Sequence, residues 1–406
     1  MRNFYLPSGT PIQLGALLGE GRQGFVFAVE GTDLFCAKIY LEHSEELARR
    51  LNSLVQAPQR NWAGDGPDHL HLAWPQSTLQ DEKGVVRGVL MPYIPGVVLA
   101  DLLSGQRGDV LDEPGWRTSI AVAGRLARVI SLAHESGLVL GDLSPRNIMI
   151  DRRGRVTLID CDTVQFTDTV TGRRLPAEHF TPEYLPPEAF PKPAVPLSTR
   201  HDRFGLGILI CQVLMDGDHP YVGIPAGSAE SNGVEDNIRH GRNRITAPGS
   251  LVPRPGTLPA ELLPEDVRKL AFRCFAEGAT DAAQRPTAAE WASALGRAGF
   301  ELMGCRQDAT HAYPAALAAC PWCARAEALR VTQNAAPPGQ SVPPPRPGSQ
   351  PAQPNQPAQP AQPAPPQPSW AQPQSVTPAR GTNGKTVAAV LAVVLLLLLV
   401  VAIASG

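Results

Sequence analysis

Seven cysteines in 406 residues are too few for a disulfide scaffold, and four of them (Cys36, Cys161, Cys211, Cys274) stand singly. That usage suits a reducing compartment. An excess of charge is missing too. The formal net charge is −2, which leaves no electrostatic footprint for nucleic acid. The first residues, MRNFYLPSGTP, have no apolar run behind a basic start, so no signal peptide is expected. From about 331 to 380, charge and apolar residues are both scarce, and the stretch is Pro, Gln and Ala with repeats such as Gln-Pro-Ala-Gln-Pro. It cannot bury enough surface to offset its ordering entropy, so a disordered, partly polyproline II linker is expected over 331–385. Val387 to Ala404 lacks charge altogether. That run is long enough to cross a hydrocarbon core of roughly 30 Å, and a single transmembrane helix is expected at 386–406. Arg380 and Lys385 precede it, which puts the rest of the chain on the cytoplasmic side of the cell membrane.

Against these absences stands one dense motif. Gly141-Asp142-Leu143-Ser144-Pro145-Arg146-Asn147 is followed thirteen residues later by Asp160. An acid, an amide and a second acid at this spacing suit phosphoryl transfer from ATP. Asp142 would accept a hydroxyl proton, while Asn147 and Asp160 would hold Mg²⁺ or Mn²⁺.

Upstream, Gly19-Glu20-Gly21-Arg22-Gln23-Gly24-Phe25-Val26 has the form GxGxxGxV. The β-branched and aromatic run after it predicts an outgoing strand, so the glycines would turn a hairpin whose amides cover a triphosphate. A dinucleotide-binding turn would need a helix there. Leu34 to Tyr40 reads as a buried strand with Lys38 in its middle, a costly placement unless the ammonium meets phosphate and carboxylate oxygens. The carboxylate is expected on the helix starting at Ser44, with Glu46 the candidate and Glu45 in reserve. Both sit in a first turn, where acids are favoured anyway. Val85 to Met91 predicts a strand leading into a hinge, Pro92 to Gly96, whose backbone near Met91 and Tyr93 would pair with adenine.

Further on, Ile120 to His134 has helical periodicity, and Val156 to Ile159 is a short strand before Asp160-Cys161-Asp162. Thr181-Pro182-Glu183-Tyr184-Leu185-Pro186-Pro187-Glu188, an apolar helix opening at Thr199 with Asp202, and a late Arg285 follow in order. A buried Glu188 would need a bidentate partner, which Arg285 supplies.

Taken together, residues 10–300 resemble a eukaryotic-type (Hanks-like) bacterial serine/threonine protein kinase. The closer resemblance is to a branch with a Gly-Asp-Leu catalytic loop, an Asp-Cys-Asp metal motif and a Cys-Pro-Trp-Cys element. It implies an α+β, bilobal kinase fold at 1–300, with a β-rich N-lobe (1–94) and a helical C-lobe (95–300). It implies Lys38, Asp142, Asn147 and Asp160 as catalytic residues. Gly19, Gly21, Gly24, Val26, Lys38, Glu46, Met91 and Tyr93 would surround ATP, and protein substrates, autophosphorylation included, would accept phosphate. Some relatives in that branch are associated with a metal-dependent protein phosphatase and a von Willebrand A-type protein, which the resemblance brings in as partners.

The departures are specific. Leu140-Gly141 stands where most kinases have His-Arg, so the loop-ordering His and the clamp for an activating phosphate are gone. Ser144 replaces a Lys that neutralises the transferring phosphate, with Arg146 the nearest substitute. Cys161-Asp162 replaces Phe-Gly and adds a charge close to the metal.

After the kinase segment, Cys305, His311, Cys320 and Cys323 form C-x5-H-x8-C-P-W-C. A Cys₃His set closes a tetrahedral site, so residues 301–330 are expected to form a small structural Zn²⁺ module. Redox chemistry at this CxxC would want a βαβ context that is missing. Two function classes then compete. One is a membrane-tethered Ser/Thr kinase. The other is a pseudokinase that binds nucleotide and serves as a docking scaffold, a reading favoured by Ser144 and the lost His-Arg. A small-molecule phosphotransferase is weaker, because the 181–188 segment and Arg285 suit a protein acceptor.

Overall fold

The computed structural model describes residues 3–57, 62–105, 110–177, 179–191, 196–227 and 233–335. The expected membrane span at 386–406 and the linker beyond 335 lie outside the described residues. Among those described, no helix is long and apolar enough to cross a membrane.

Apolar runs between glycine turns build the N-lobe as strands. Strands β1 (Phe4–Tyr5), β2 (Pro11–Ile12), β3 (Leu14–Glu20), β4 (Gly24–Val29), β5 (Phe35–Tyr40), β6 (Ser77–Gln80) and β7 (Val86–Pro92) form one sheet in the order β2-β1-β6-β7-β5-β4-β3. The Gly-rich stretch is the β3–β4 hairpin, with no helix after it, which excludes the dinucleotide-binding alternative. Gly24 is demanded by close approach, since a Cβ there would sit 2.0 Å from the Ile39 carbonyl oxygen. Strand β5 lies inside the sheet, with Lys38 opposite Val26 on one side and Val89 on the other.

Helix α1 (Glu45–Gln56) is capped by Ser44, whose hydroxyl accepts from the Leu47 amide at 3.0 Å. Its buried face carries Arg50, Leu51 and Leu54. The segment His71 to Trp74 ties this helix to the metal motif. Trp74 Nε1 donates to the Leu54 carbonyl at 3.0 Å, while Leu72 bridges Leu158, two residues before Asp160.

The C-lobe core is formed by the helices Trp116–Glu135, Thr199–Leu214 and Ala288–Ala298, with Leu126, Ile130, Phe204, Ile208 and Trp291 fully enclosed. Strands Ile148–Ile150 and Val156–Leu158 pair antiparallel and carry the two halves of the catalytic motif at their ends. Val139-Leu140 forms a single bridge, Val139 to Gln165, rather than a strand. Arg285, buried, grips Glu188 with both terminal nitrogens at 2.7 Å and also donates to the Gly278 and Arg200 carbonyls.

His219 pins the 181–188 segment from behind. Its Nδ1 accepts from the Tyr221 amide, so Nε2 carries the proton and donates to the Glu183 carbonyl at 3.1 Å. Burial, partly offset by that carbonyl and reinforced by the Arg244 charge, pushes its pKa down to about 4. The unfolded chain takes up this proton near the ordinary histidine value of 6.5 and the folded protein only near 4. Stability present above the higher value is therefore lost as pH falls towards the lower one, by on the order of 3 kcal/mol in full. The full chain should lose more melting temperature between pH 7 and pH 5 than its His219→Gln variant. Equal losses would remove His219 as the cause.

Past the C-lobe, strands Leu302–Gly304 and Ala312–Pro314 pair antiparallel and lead to the helix Pro321–Ala335. That helix corrects the expected linker boundary at 331. Residues 331–335 continue the helix, because nothing in Val-Thr-Gln-Asn-Ala stops it before the Pro337-Pro338 pair.

Candidate active site

Lys38, Asp142, Asn147 and Asp160 converge between the lobes. The Lys38 ammonium is almost fully enclosed and bonds three side chains: Asp160, Asp162 at 2.8 Å and Gln23 Oε1 at 3.0 Å. Burial opposes its charge, yet Asp162 and Asp160 hold its pKa above the usual lysine value. Asp160 takes a left-handed backbone conformation, φ 61°, which turns its carboxylate into the cleft. Burial and the neighbouring Asp162 charge raise its pKa to about 6, against the pull of Lys38. Burial alone would raise Asp162 as well, but Lys38 and the Tyr40 hydroxyl hold it below the ordinary range.

Asp142 faces this group from the catalytic loop. Its Oδ2 accepts from Asn147 Nδ2 at 3.2 Å and its Oδ1 from the Thr181 hydroxyl at 2.6 Å. Asn147 also donates to the Asp142 carbonyl at 2.9 Å, leaving its amide oxygen for a cation. A narrow pocket bordered by Asp142, Asn147 and Asp160 separates the loop from the metal motif. The Asp160 carboxylate and the Asn147 amide oxygen form a hard-oxygen pair that suits Mg²⁺ or Mn²⁺.

The remaining sequence candidates divide. Gly19, Gly21 and Gly24 shape the hairpin tip, where Gly21 and Gly24 close a turn (N···O 2.9 Å), and Val26 is half-buried beside Lys38 in the sheet register. Met91 is buried beside the hinge. At Tyr93 the N–H already donates to the Leu34 carbonyl at 2.9 Å, so of its backbone groups only the carbonyl is left for adenine. Glu46 needs a correction. It is exposed and lies 3.8 Å from Arg173, away from Lys38. The face of α1 that meets the metal motif presents Arg50 instead, and Glu45 is exposed too. Four residues at the site, Gln23, Tyr40, Arg50 and His134, carry no functional signal in the sequence. Gln23 sits at an unspecified position between the motif glycines, and His134 at the end of an amphipathic helix.

A match to the protein kinase domain covers residues 13–294. The chain belongs to the protein kinase family. It is 33% identical over 329 residues to a protein kinase of Escherichia coli K12, YegI, a match covering 79% of this chain and 50% of that protein. It is 24% identical over 269 residues to the serine/threonine-protein kinase PkaB of Streptomyces coelicolor, covering 64% and 57%. To the serine/threonine-protein kinase PknB of Mycobacterium leprae it is 26% identical over 153 residues, covering 37% and 23%. The chain thus spans about half the length of the E. coli relative.

One departure from the common kinase pattern, the missing loop His, has a local counterpart. The catalytic loop lacks its His, but Asp202 accepts the Leu140 and Gly141 amides at 2.8 and 2.9 Å and is itself met by His134 at 3.0 Å. Gly141 takes φ +76°, and a Cβ there would sit 2.4 Å from that of Ala177. An Arg cannot occupy this position while the activation segment packs so closely. Ser144 is buried and Arg146 exposed.

Cys305, His311, Cys320 and Cys323 come together, with all four ligand atoms within 4.8 Å of one another. Cys305 and Cys323 sulfurs are 3.6 Å apart, and His311 Nδ1 is 3.6 Å from the sulfurs of Cys320 and Cys323. A tetrahedral ion with ordinary zinc bond lengths would set these edges at about 3.6–3.8 Å. His311 Nε2 faces Asp308 at 3.5 Å, which favours Nδ1 as the ligand.

Proposed function

We propose that the chain is an ATP-dependent protein kinase that phosphorylates Ser/Thr of protein substrates, itself included. The observation that carries this is the convergence of Lys38, Asp142, Asn147 and Asp160 across one cleft, with a Thr hydroxyl already on the Asp142 carboxylate at 2.6 Å. A substrate hydroxyl replacing Thr181 would meet the same acceptor. Lys38 would orient the phosphates of ATP. Asn147 and Asp160 would hold Mg²⁺ or Mn²⁺, which bridges and neutralises those phosphates when bound. Thr181 in the substrate-site segment favours Ser/Thr over Tyr. The names of the Streptomyces and mycobacterial relatives agree.

The same reading extends to the remainder of the chain. The Cys₃His cluster would hold structural Zn²⁺. The uncharged run at 387–404 would anchor the protein in the cell membrane by its C-terminal end, kinase domain cytoplasmic. A metal-dependent phosphatase and a von Willebrand A-type protein would be its partners. A scaffold reading is favoured by one observation: Ser144, buried, replaces the phosphate-neutralising Lys, and the nearby Arg146 is exposed.

The deciding experiment uses the purified full chain, Mg²⁺ or Mn²⁺, and γ-labelled ATP, beside Asp160→Asn. Label entering the chain or a basic protein substrate, and abolished by the substitution, is the expected result. Nucleotide binding without label transfer would select the scaffold.

A further inference from the structure

Lys38 needs a carboxylate that stays with it when Asp160 turns to a metal. Helix α1 does not provide one. Glu46 lies 3.8 Å from Arg173 with 69% of its side chain exposed. What α1 sends into the cleft is a cation. Arg50 donates to the Asp162 and Pro176 carbonyls at 2.8 Å each and to the Val164 carbonyl, and its side chain is buried. A carboxylate on that helix face would instead confront three carbonyl oxygens.

The carboxylate comes from the metal motif itself. Asp162 Oδ2 accepts from Lys38 Nζ at 2.8 Å, with side-chain exposures of 3% and 6%. Tyr40 donates its hydroxyl to the same oxygen. Tyr40 stands two residues beyond Lys38 on β5 and so projects from the same face of the strand. Its ring lies 5.3 Å from the Lys38 ammonium. Lys38 is thus met by Asp162 and flanked by the Tyr40 ring independently of its bond to Asp160.

We propose that Asp162 is the positioning residue for Lys38, replacing the helix carboxylate of ordinary kinases. Asp-Cys-Asp then carries two separate tasks: the first acid faces the metal, and the second keeps the phosphate-orienting Lys extended. The Lys pair is tied to the metal motif and does not depend on where α1 sits. Helix α1 acts on the site through Arg50 and the backbone of the activation segment. This inference rests on the kinase reading for the role of Lys38, but the geometry of the pair stands without it.

A double-substitution cycle tests it on the full chain. Asp162→Asn, Lys38→Met and the combined variant are compared for affinity towards a fluorescent ATP analogue with Mg²⁺, and for label transfer with the KM for ATP and for protein substrate measured separately. Asp162→Asn should weaken nucleotide affinity or transfer by roughly tenfold or more, with the KM for protein substrate unchanged. In the Lys38→Met background the same change should cost nothing further, because coupled residues are not additive. Should Asp162→Asn fail to fold, Tyr40→Phe serves: a few-fold loss, absent when Lys38 is Met. Glu46→Gln should match the wild type. The proposal is overturned if Asp162→Asn binds and transfers like the wild type, if its loss multiplies with that of Lys38→Met, or if Glu46→Gln is as damaging as Lys38→Met. A wild-type chain that binds nucleotide but transfers no label would sink the kinase reading alone, and the binding cycle would still decide the role of Asp162.

Discussion

Asp142→Asn should reduce the rate of phosphoryl transfer by roughly 10²–10⁴-fold while leaving nucleotide binding close to that of the wild type. The substitution keeps size and shape. It removes the carboxylate that accepts the Thr181 hydroxyl at 2.6 Å and Asn147 Nδ2 at 3.2 Å. An amide in its place can still receive one of these bonds, so the loop should stay ordered through Asp202 and the Leu140 and Gly141 amides. What it cannot do is take a proton from an attacking hydroxyl at neutral pH. Lys38 bonds Asp160, Asp162 and Gln23 without involving Asp142, which is why the nucleotide-induced thermal shift should survive. The measurement is the initial rate of label transfer beside the thermal shift with Mg²⁺ and ATP. Wild-type transfer by Asp142→Asn would mean that the acceptor of the proton lies elsewhere. Loss of both transfer and nucleotide binding would mean that the loop had collapsed and that Asn147 should be the next residue changed.

The parts of this site that were legible in the sequence are those whose chemistry is local. The β3–β4 hairpin announces itself because three glycines sit between strand-forming runs, and one of them, Gly24, leaves no room for a side chain. Asp142 and Asn147 share one loop, and Asp160 lies two residues past a strand three residues long. Glu188 and Arg285 were predictable as a pair, although the group that needs the partner is the fully buried Arg285 guanidinium, and Glu188, expected to be buried, is exposed. Rotation of a helix about its axis is different. Glu45 and Glu46 would be favoured in a first turn whichever face of α1 looked inward, so their presence carried no information about the cleft. The decision was made by Arg50, whose partners are backbone carbonyls more than a hundred residues away, and carbonyls have no sequence signature. The Tyr93 amide is taken in the same way, by the Leu34 carbonyl, which leaves only its own carbonyl for adenine. His134 and Asp202 show the converse: a missing loop His was offset by a histidine on the preceding helix, which no motif marks.

Removing the zinc proposed for the Cys₃His cluster, or changing Cys320 to Ser, should release the segment after residue 300 from the C-lobe. The cluster sits at a junction of elements: Cys305 follows one strand, His311 precedes its partner, and Cys320 and Cys323 flank the start of the last described helix. Trp322, between those two cysteines, donates Nε1 to the Ala312 carbonyl at 2.8 Å and packs edge-on against Trp116, with ring centroids 6.2 Å apart. Trp116 is itself buried and donates to the Leu214 carbonyl, so this contact reaches the centre of the helical lobe. Arg325 adds an ion pair to Asp216 at 2.5 Å, and Leu329 covers Gly256. Without an ion the cysteines take up protons and nothing draws the four side chains together, and the short hairpin is too small to stay folded on its own. Losing the Trp322 packing should cost on the order of 3 kcal/mol, which for a domain of this size lowers the melting temperature by roughly 5 °C or more. The wild-type chain should contain one zinc per molecule by elemental analysis and Cys320→Ser almost none, with new protease cleavage appearing beyond residue 300. A redox pair at Cys320 and Cys323 would leave a metal-free protein of unchanged stability after chelation, and that result would overturn the zinc assignment.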